Sequence, residues 1–149
     1  MSIRAQRLQS PLAVFHGRVG VNPELMRSIL VAEDDRGIQT LLRTILSREG
    51  FVVDCVGDGA EALQRLEAKR YDAVLLDLMM PNLSGGDVIR RLADRGHDAL
   101  DRVIVITAAA LHDTATVDRL PVVRKPFDLD ELRSRVHAIA GPALSTSAA

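Results

Sequence analysis

Two short apolar runs end in acid. Ser28-Ile29-Leu30-Val31-Ala32 is closed by Glu33-Asp34-Asp35, and Ala73-Val74-Leu75-Leu76 is closed by Asp77. At the carboxyl ends of strands in a parallel α/β sheet, side chains converge on the rim where ligands bind. Two buried strands ending in acid therefore place three carboxylates around one point. Such a cluster repels itself unless a cation joins it, so the first chemistry on offer is a divalent-metal site.

The elements that must position those acids alternate strand and helix from Ser28 onward. Ile38, Leu41, Leu42, Ile45 and Leu46 recur at helical spacing and form one apolar stripe, and Gly50 stops that helix. Phe51 to Val56 is rich in β-branched residues and predicts a strand; Gly57-Asp58-Gly59 turns the chain. A helix over Ala60–Arg70 turns Leu63 and Leu66 inward. The strand ending at Asp77 leads into a loop over Pro81–Gly86, then a helix over Asp87–Arg95 that buries Val88, Ile89 and Leu92. Val103-Ile104-Val105-Ile106 is a further strand ending at Thr107, and a short strand around Pro121-Val122-Val123 leads to Lys125-Pro126. A last helix over Leu129–Ala140 carries Leu132, Val136 and Ile139 on one face. Several of the strands are unbroken apolar runs, which implies a parallel sheet covered on both faces in a doubly wound α/β arrangement. Residues 1–25 show no sustained periodicity and are expected to be a flexible N-terminal extension, with the domain over 26–141 and a disordered tail over 142–149. Met26, just before the first strand, is an alternative start of translation; an authentic extension is the other reading.

Composition narrows the function classes. A chain of 149 residues is ordinarily one domain. With 3% aromatic residues and no Trp, a base-stacking surface is not expected, and 19 Lys and Arg against 20 Asp and Glu leave no basic stripe for nucleic acid. Cys55 is the single cysteine, so no internal disulfide forms and a reducing compartment is expected. The apolar runs are strand-sized, too short to insert in a membrane, and Pro11–Phe15 is too short for a signal-peptide core. These features together predict a cytoplasmic protein.

The segment Ile29-Leu30-Val31-Ala32-Glu33-Asp34-Asp35 resembles the opening of a bacterial response-regulator receiver domain. Leu76-Asp77-Leu78-Met79-Met80-Pro81-Asn82-Leu83-Ser84-Gly85 resembles that family's phosphoacceptor segment, and Val105-Ile106-Thr107-Ala108 and Arg124-Lys125-Pro126-Phe127 complete the set. The likeness runs in family order from about Ser28 to Ala140. It implies a five-stranded flavodoxin-like sheet of order 2-1-3-4-5. It also implies that Asp77 is the phosphoacceptor and forms an acyl phosphate by nucleophilic transfer. Mg2+ would remove the repulsion between a carboxylate and an anionic phosphoryl group, held by Glu33, Asp34, Asp77 and the backbone carbonyl of Met79. Lys125 and the Thr107 hydroxyl would stabilise the phosphoryl oxygens. Asp35 is expected to cap the following helix instead.

Two features depart from the family pattern. The position three before the lysine, usually an aromatic switch residue, is Val122. The stretch between Thr107 and Lys125 is short, so the fourth helix, over Ala108–Val117, is expected to be short or irregular. Met79 and Ala109 stand where the family influences water attack on the acyl phosphate. Neither can orient a water, so no special acceleration of dephosphorylation is expected.

Taken singly, these residues have ordinary explanations: helix caps for Glu33-Asp34, a turn for Asp77, solvation for Lys125 and a strand end for Thr107. Their joint placement at four strand ends is what favours the site. His16, His97, His112 and His137 have no metal-ligand spacing and are expected to face solvent. Met79-Met80 is expected to pack, and Cys55 to be an inert core thiol. The leading expectation is a non-enzymatic, single-domain response regulator. It would be phosphorylated by a sensor histidine kinase or a histidine phosphotransfer protein, and would signal through protein contacts or act as a phosphate sink or relay. A phosphorylation-independent adaptor is the second reading. A phosphatase is the third, opposed by Met79 standing where an aspartyl-phosphate phosphatase keeps its second aspartate.

Overall fold

The β-branched and leucine-rich runs pair as a parallel sheet. The structure, a computed structural model, describes residues 12–15, 18–21, 26–108 and 119–142. The sheet strands are β3 (Ser28–Ala32), β4 (Val52–Val56), β5 (Ala73–Asp77), β6 (Val103–Thr107) and β7 (Val122–Arg124), in spatial order β4-β3-β5-β6-β7. Counted along the chain within this sheet, that order is 2-1-3-4-5, with every neighbouring pair parallel. The strands β3, β5 and β6 are buried along their whole length, as their continuous apolar sequence requires.

Alternation along each strand divides the core between two faces. Leu30, Ala32, Val74, Leu76, Val103 and Val105 meet Ala62 and Leu63 of α2 (Gly59–Ala68) and Val88, Ile89 and Leu92 of α3 (Gly85–Asp94). Ile29, Val31, Ala73, Leu75, Ile104, Ile106 and Val123 meet Leu42 and Leu46 of α1 (Arg36–Arg48) and Leu132, Val136 and Ala140 of α4 (Leu129–Ala140). Each helix starts on a side-chain cap: Asp35, Asp58, Ser84 and Asp128 accept from backbone N–H groups of the first turn. The expected role of Asp35 is thus observed, with Ile38 N donating to Oδ1 at 3.0 Å. Among the described residues no helix is long and apolar enough to cross a membrane.

Two readings of the sequence differ from the structure, and a third falls outside the described residues. Leu41, placed on the inward stripe of α1, is 42% exposed. The buried pair is Leu42 and Leu46, with Ile38 and Ile45 half-buried, so the sheet accepts a narrower face than the sequence stripe offers. Within residues 1–25, where no element was expected, β1 (Leu12–Phe15) and β2 (Arg18–Val21) pair antiparallel, Phe15 opposite Arg18. The local reason is an apolar, β-prone run at Leu12–Phe15 lying close in sequence to a second short run at Arg18–Val21. The helix expected over Ala108–Val117 lies almost wholly outside the described residues, as does Ala109.

Candidate functional site

Sheet order brings the four strand ends into a row. Glu33 follows β3, Asp77 closes β5, Thr107 closes β6 and Lys125 follows β7. The row is held in register by the backbone: Ala32 lies beside Leu76, Asp77 beside Ile106, and Thr107 beside Arg124. Two bonds extend the ladders past the strands, with Glu33 N donating to Val56 O and Lys125 N donating to Thr107 O, each at 3.0 Å. Gln39, on the first turns of α1, donates its carboxamide to the carbonyls of both Glu33 and Val56. It ties the ends of β3 and β4 to the helix. The sequence reading missed it; its signal is a polar residue next to Ile38 on the half-buried edge of the stripe.

Lys125 is the hub. Its ammonium donates to Glu33 Oε2 at 2.5 Å and to Asp77 Oδ2 at 2.8 Å. The remaining oxygens are held by backbone, Asp35 N on Glu33 Oε1 at 3.1 Å and Met79 N on Asp77 Oδ1 at 3.0 Å. Glu33 is fully buried and Asp77 and Thr107 nearly so, whereas Asp34 is exposed. Burial pushes the Glu33 carboxyl up to about 7, with neighbouring Asp77 adding to the effect and hydrogen bonds from Lys125 and Asp35 opposing it. Burial works against the Lys125 charge too, but its bonds to Asp77 and Glu33 outweigh that and raise it above the ordinary lysine value.

The donor set suits a hard divalent cation. Carboxylate oxygens of Glu33, Asp34 and Asp77 all lie within 4.8 Å of one another. Three carboxylates against one ammonium leave an excess of negative charge, and oxygen-only ligands of this number match Mg2+. Met79 reaches the cluster through its backbone, and its side chain is 66% exposed. The expectation that this side chain packs is therefore corrected: the turn after Asp77 directs its N–H to the carboxylate and leaves the thioether outside. Val122 is half-buried beside Val105 and packs against the core face that contains Leu30. Cys55 is half-buried, and burial raises its thiol. His137, expected in solvent, is half-buried, with Nε2 3.2 Å from Glu49 Oε2 and its ring centroid 5.4 Å from that of Phe51. His16 and His112, and the His97 side chain, lie outside the described residues.

The loop after Asp77 approaches its neighbours too closely for side chains at two glycines. A Cβ at Gly85 would stand 2.2 Å from the Asp77 carbonyl oxygen, and one at Gly59 would stand 2.1 Å from that of Leu83. Ser84 and Asp87 close a capping box at the start of α3, securing the far end of the same loop.

A doubly wound sheet with acid, hydroxyl and lysine at its strand ends is the arrangement that the likeness to a receiver domain implied. Residues 29–137 match the response regulator receiver domain, and the chain belongs to that family. It is similar to response regulator MprA of Mycobacterium ulcerans, at 41% identity over 118 residues, covering 74% of this chain and 49% of that protein. The Mycolicibacterium vanbaalenii MprA is 42% identical over the same length. The chain thus spans about half the length of the curated relatives it matches. Among solved structures it is similar to the response regulator TrrA of Thermotoga maritima in complex with Mg2+-BeF, at TM-score 0.69 and 32% identity, covering 76% of this chain and 99% of that one. TrrA in complex with the histidine kinase ThkA superposes at TM-score 0.68 and 32% identity, covering 76% and 98%. The receiver domain of a Pseudomonas aeruginosa sensor histidine kinase, with magnesium coordinated in its active-site cleft, superposes at 0.68 and 29%, covering 77% and 98%.

Proposed function

We propose that this receiver accepts a phosphoryl group on Asp77, in the presence of Mg2+, from a phosphohistidine of a sensor histidine kinase or histidine phosphotransfer protein. The observation that carries the reading is the half-buried ammonium of Lys125 bridging the buried Asp77 and Glu33 beside three carboxylates that converge within 4.8 Å. The solved complexes of TrrA with Mg2+-BeF and with a histidine kinase support the same assignment.

Each side chain has a task. The Met79 N–H pins Asp77 Oδ1, which directs Oδ2 toward the incoming phosphorus. The Oδ2–P bond forms as the P–N bond to the donor imidazole breaks, and the ring nitrogen takes up the electron pair and a proton. Lys125, already on Oδ2, moves its ammonium onto a phosphoryl oxygen, and the Thr107 hydroxyl donates to another. Glu33, Asp34, Asp77 and the Met79 carbonyl would hold Mg2+, which supplies positive charge against the repulsion between phosphoryl group and carboxylate. The transfer is stoichiometric, so the chain acts as a switch or a phosphate sink or relay in the cytoplasm, through protein contacts, rather than as an enzyme. Val122, in place of an aromatic, favours a second reading, an adaptor that works without phosphorylation.

Labelling with a small phosphodonor and Mg2+, read by intact mass, separates these. A single phosphoryl adduct that outlasts seconds, requires Mg2+ and disappears in Asp77→Asn is expected. No adduct favours the adaptor, and multiple turnover of donor makes the chain an enzyme.

A further inference from the structure

Asn82 has φ 64, in the left-handed region that few side chains other than asparagine and aspartate tolerate. Across it, Leu83 N donates to Pro81 O at 2.8 Å, closing a three-residue turn of the rare positive-φ kind. Strained backbone persists where surrounding contacts over-determine it, and such positions cluster at functional sites. Here the contact is Asp58. Asn82 Nδ2 donates to Asp58 Oδ2 at 3.1 Å, while Asp58 Oδ1 accepts from Glu61 N at 2.8 Å and begins α2. These bonds, Glu61's first and Asn82's second, hold the Asp58 carboxyl below its ordinary value, so it stays an ionised acceptor. One residue on, Gly59 N donates to Leu83 O at 3.1 Å, so two adjacent residues at the start of α2 grip two adjacent residues of the loop.

The gripped segment is the one that carries Met79. At its base, Gly85 N donates to Leu78 O at 3.1 Å. Between base and grip the chain runs Met79-Met80-Pro81, and the proline ring fixes one of the few free dihedrals. Little slack is left, so a shift at Asn82 is passed to Met79.

We propose that the Asp58–Asn82 hydrogen bond positions the phosphoacceptor site, fixing the loop after β5 against α2 and so setting where the Met79 backbone meets Asp77. Asp58 and Asn82 are positioning residues; neither touches the reacting atoms. The inference rests on the phosphoacceptor reading and adds the device that sets its geometry.

The test uses the full chain with four changes. Asp58→Ser keeps a helix cap but withdraws the acceptor from Asn82. Asn82→Gly suits φ 64 and withdraws the donor. The exchange Asp58→Asn with Asn82→Asp conserves net charge and rebuilds the bond in reverse, because the carboxamide then at position 58 would cap with its oxygen and donate with its nitrogen. Mg2+ affinity is read by calorimetry at physiological salt, which screens the exposed charges. Backbone amide relaxation at residues 79–83 is read in metal-free protein, where the spectrum also checks folding. Either single change is expected to weaken Mg2+ binding about 2- to 10-fold, the factor one hydrogen bond supplies, and to increase motion at Met79. The exchange is expected to return both readings to the wild-type level. Singles that match wild type overturn the proposal, as do losses that the exchange leaves unrepaired. A wild-type chain that takes neither Mg2+ nor phosphoryl group overturns the phosphoacceptor reading itself, and this proposal with it; one that takes both leaves the variants to decide.

Discussion

Replacing Lys125 by Met removes the only cation in direct contact with two buried acids among the described residues. The Lys125 side chain is 15% exposed, and those of Glu33 and Asp77 are 1% and 4% exposed. At the observed 2.5 and 2.8 Å, each contact has a gross attraction of about 6 kcal/mol at an effective dielectric of ~20. Carboxylate oxygens no more than 4.8 Å apart repel by at least about 3 kcal/mol on the same scale. Much of the attraction offsets desolvation of the three groups, so the net loss is that of an orphaned buried charge, about 3–5 kcal/mol. In chelator at about pH 8, Lys125→Met is expected to lower the unfolding free energy by that amount, measured by urea denaturation followed by circular dichroism. Acid should shrink the deficit. Because the folded Glu33 carboxyl lies near 7 against an ordinary 4.5, the native state binds the extra proton between those values. Stability from this group is full below about 4.5 and falls as pH rises toward 7; without Lys125 the window extends higher. Saturating Mg2+ should stabilise the variant more than the wild type, since it supplies the missing charge. A deficit under about 1 kcal/mol at pH 8 in chelator, or one that grows on acidification, would refute the reasoning.

Glu33→Asp draws the carboxylate back by one methylene and should break its bond to Lys125 while leaving the bond to Asp77. A loss of about 1–3 kcal/mol is expected by denaturation, largely absent when the change is made in Lys125→Met. Gly85→Ala drives a methyl group into the Asp77 carbonyl, 2.2 Å from the new carbon. It should abolish or severely reduce phosphoryl labelling while Gly86→Ala, with only the Ser84 hydroxyl 3.7 Å away, does not. Tyr71 is the chain's single tyrosine and there is no Trp, so phenolate absorbance reports it alone. Burial, reinforced by its 2.6 Å bond to Asp54, pushes the phenol up to about 12. Its contribution to stability is therefore lost as pH rises from about 10 to about 12, and the titration midpoint should fall back toward 10 in urea. A native midpoint near 10 would contradict that environment.

The residues at the strand ends were legible because a buried parallel strand declares itself as an apolar run, and whatever ends the run stands at the rim. Asp77 after Ala73–Leu76 and Thr107 after Val103–Ile106 were readable for that reason. What Lys125 contacts was not readable in the same way, because Glu33 is 92 positions away and the contact exists only once the sheet has its order. Gln39 escaped notice because a carboxamide that caps two strand carbonyls looks, in sequence, like any surface glutamine. Met79 and Leu41 fail for the opposite reason: hydropathy assigned them to packing, but the turn after Asp77 and the narrow face of α1 leave them in solvent. The pair β1–β2 lay in four-residue runs, shorter than the periodicity needed to tell a strand from chance.

The residue types at the site also follow from the order of strands. Lys125 follows β7, Asp77 ends β5 and Glu33 follows β3, with β6 lying between β7 and β5. At about 4.8 Å per strand, the lysine's strand is offset laterally by roughly 10 Å from that of Asp77 and roughly 14 Å from that of Glu33. A lysine stem covers about 6 Å of either gap, and the acids must span the remainder. The nearer strand therefore ends in aspartate, and the farther one needs the extra methylene of glutamate. The intervening strand ends in a buried threonine, Thr107, at the same rim. Exchange of the two acids would preserve the charge of the cluster but would crowd the near gap and leave the far one open. Charge alone would make Glu33 and Asp77 interchangeable; the spacing of the strands makes each specific to its place.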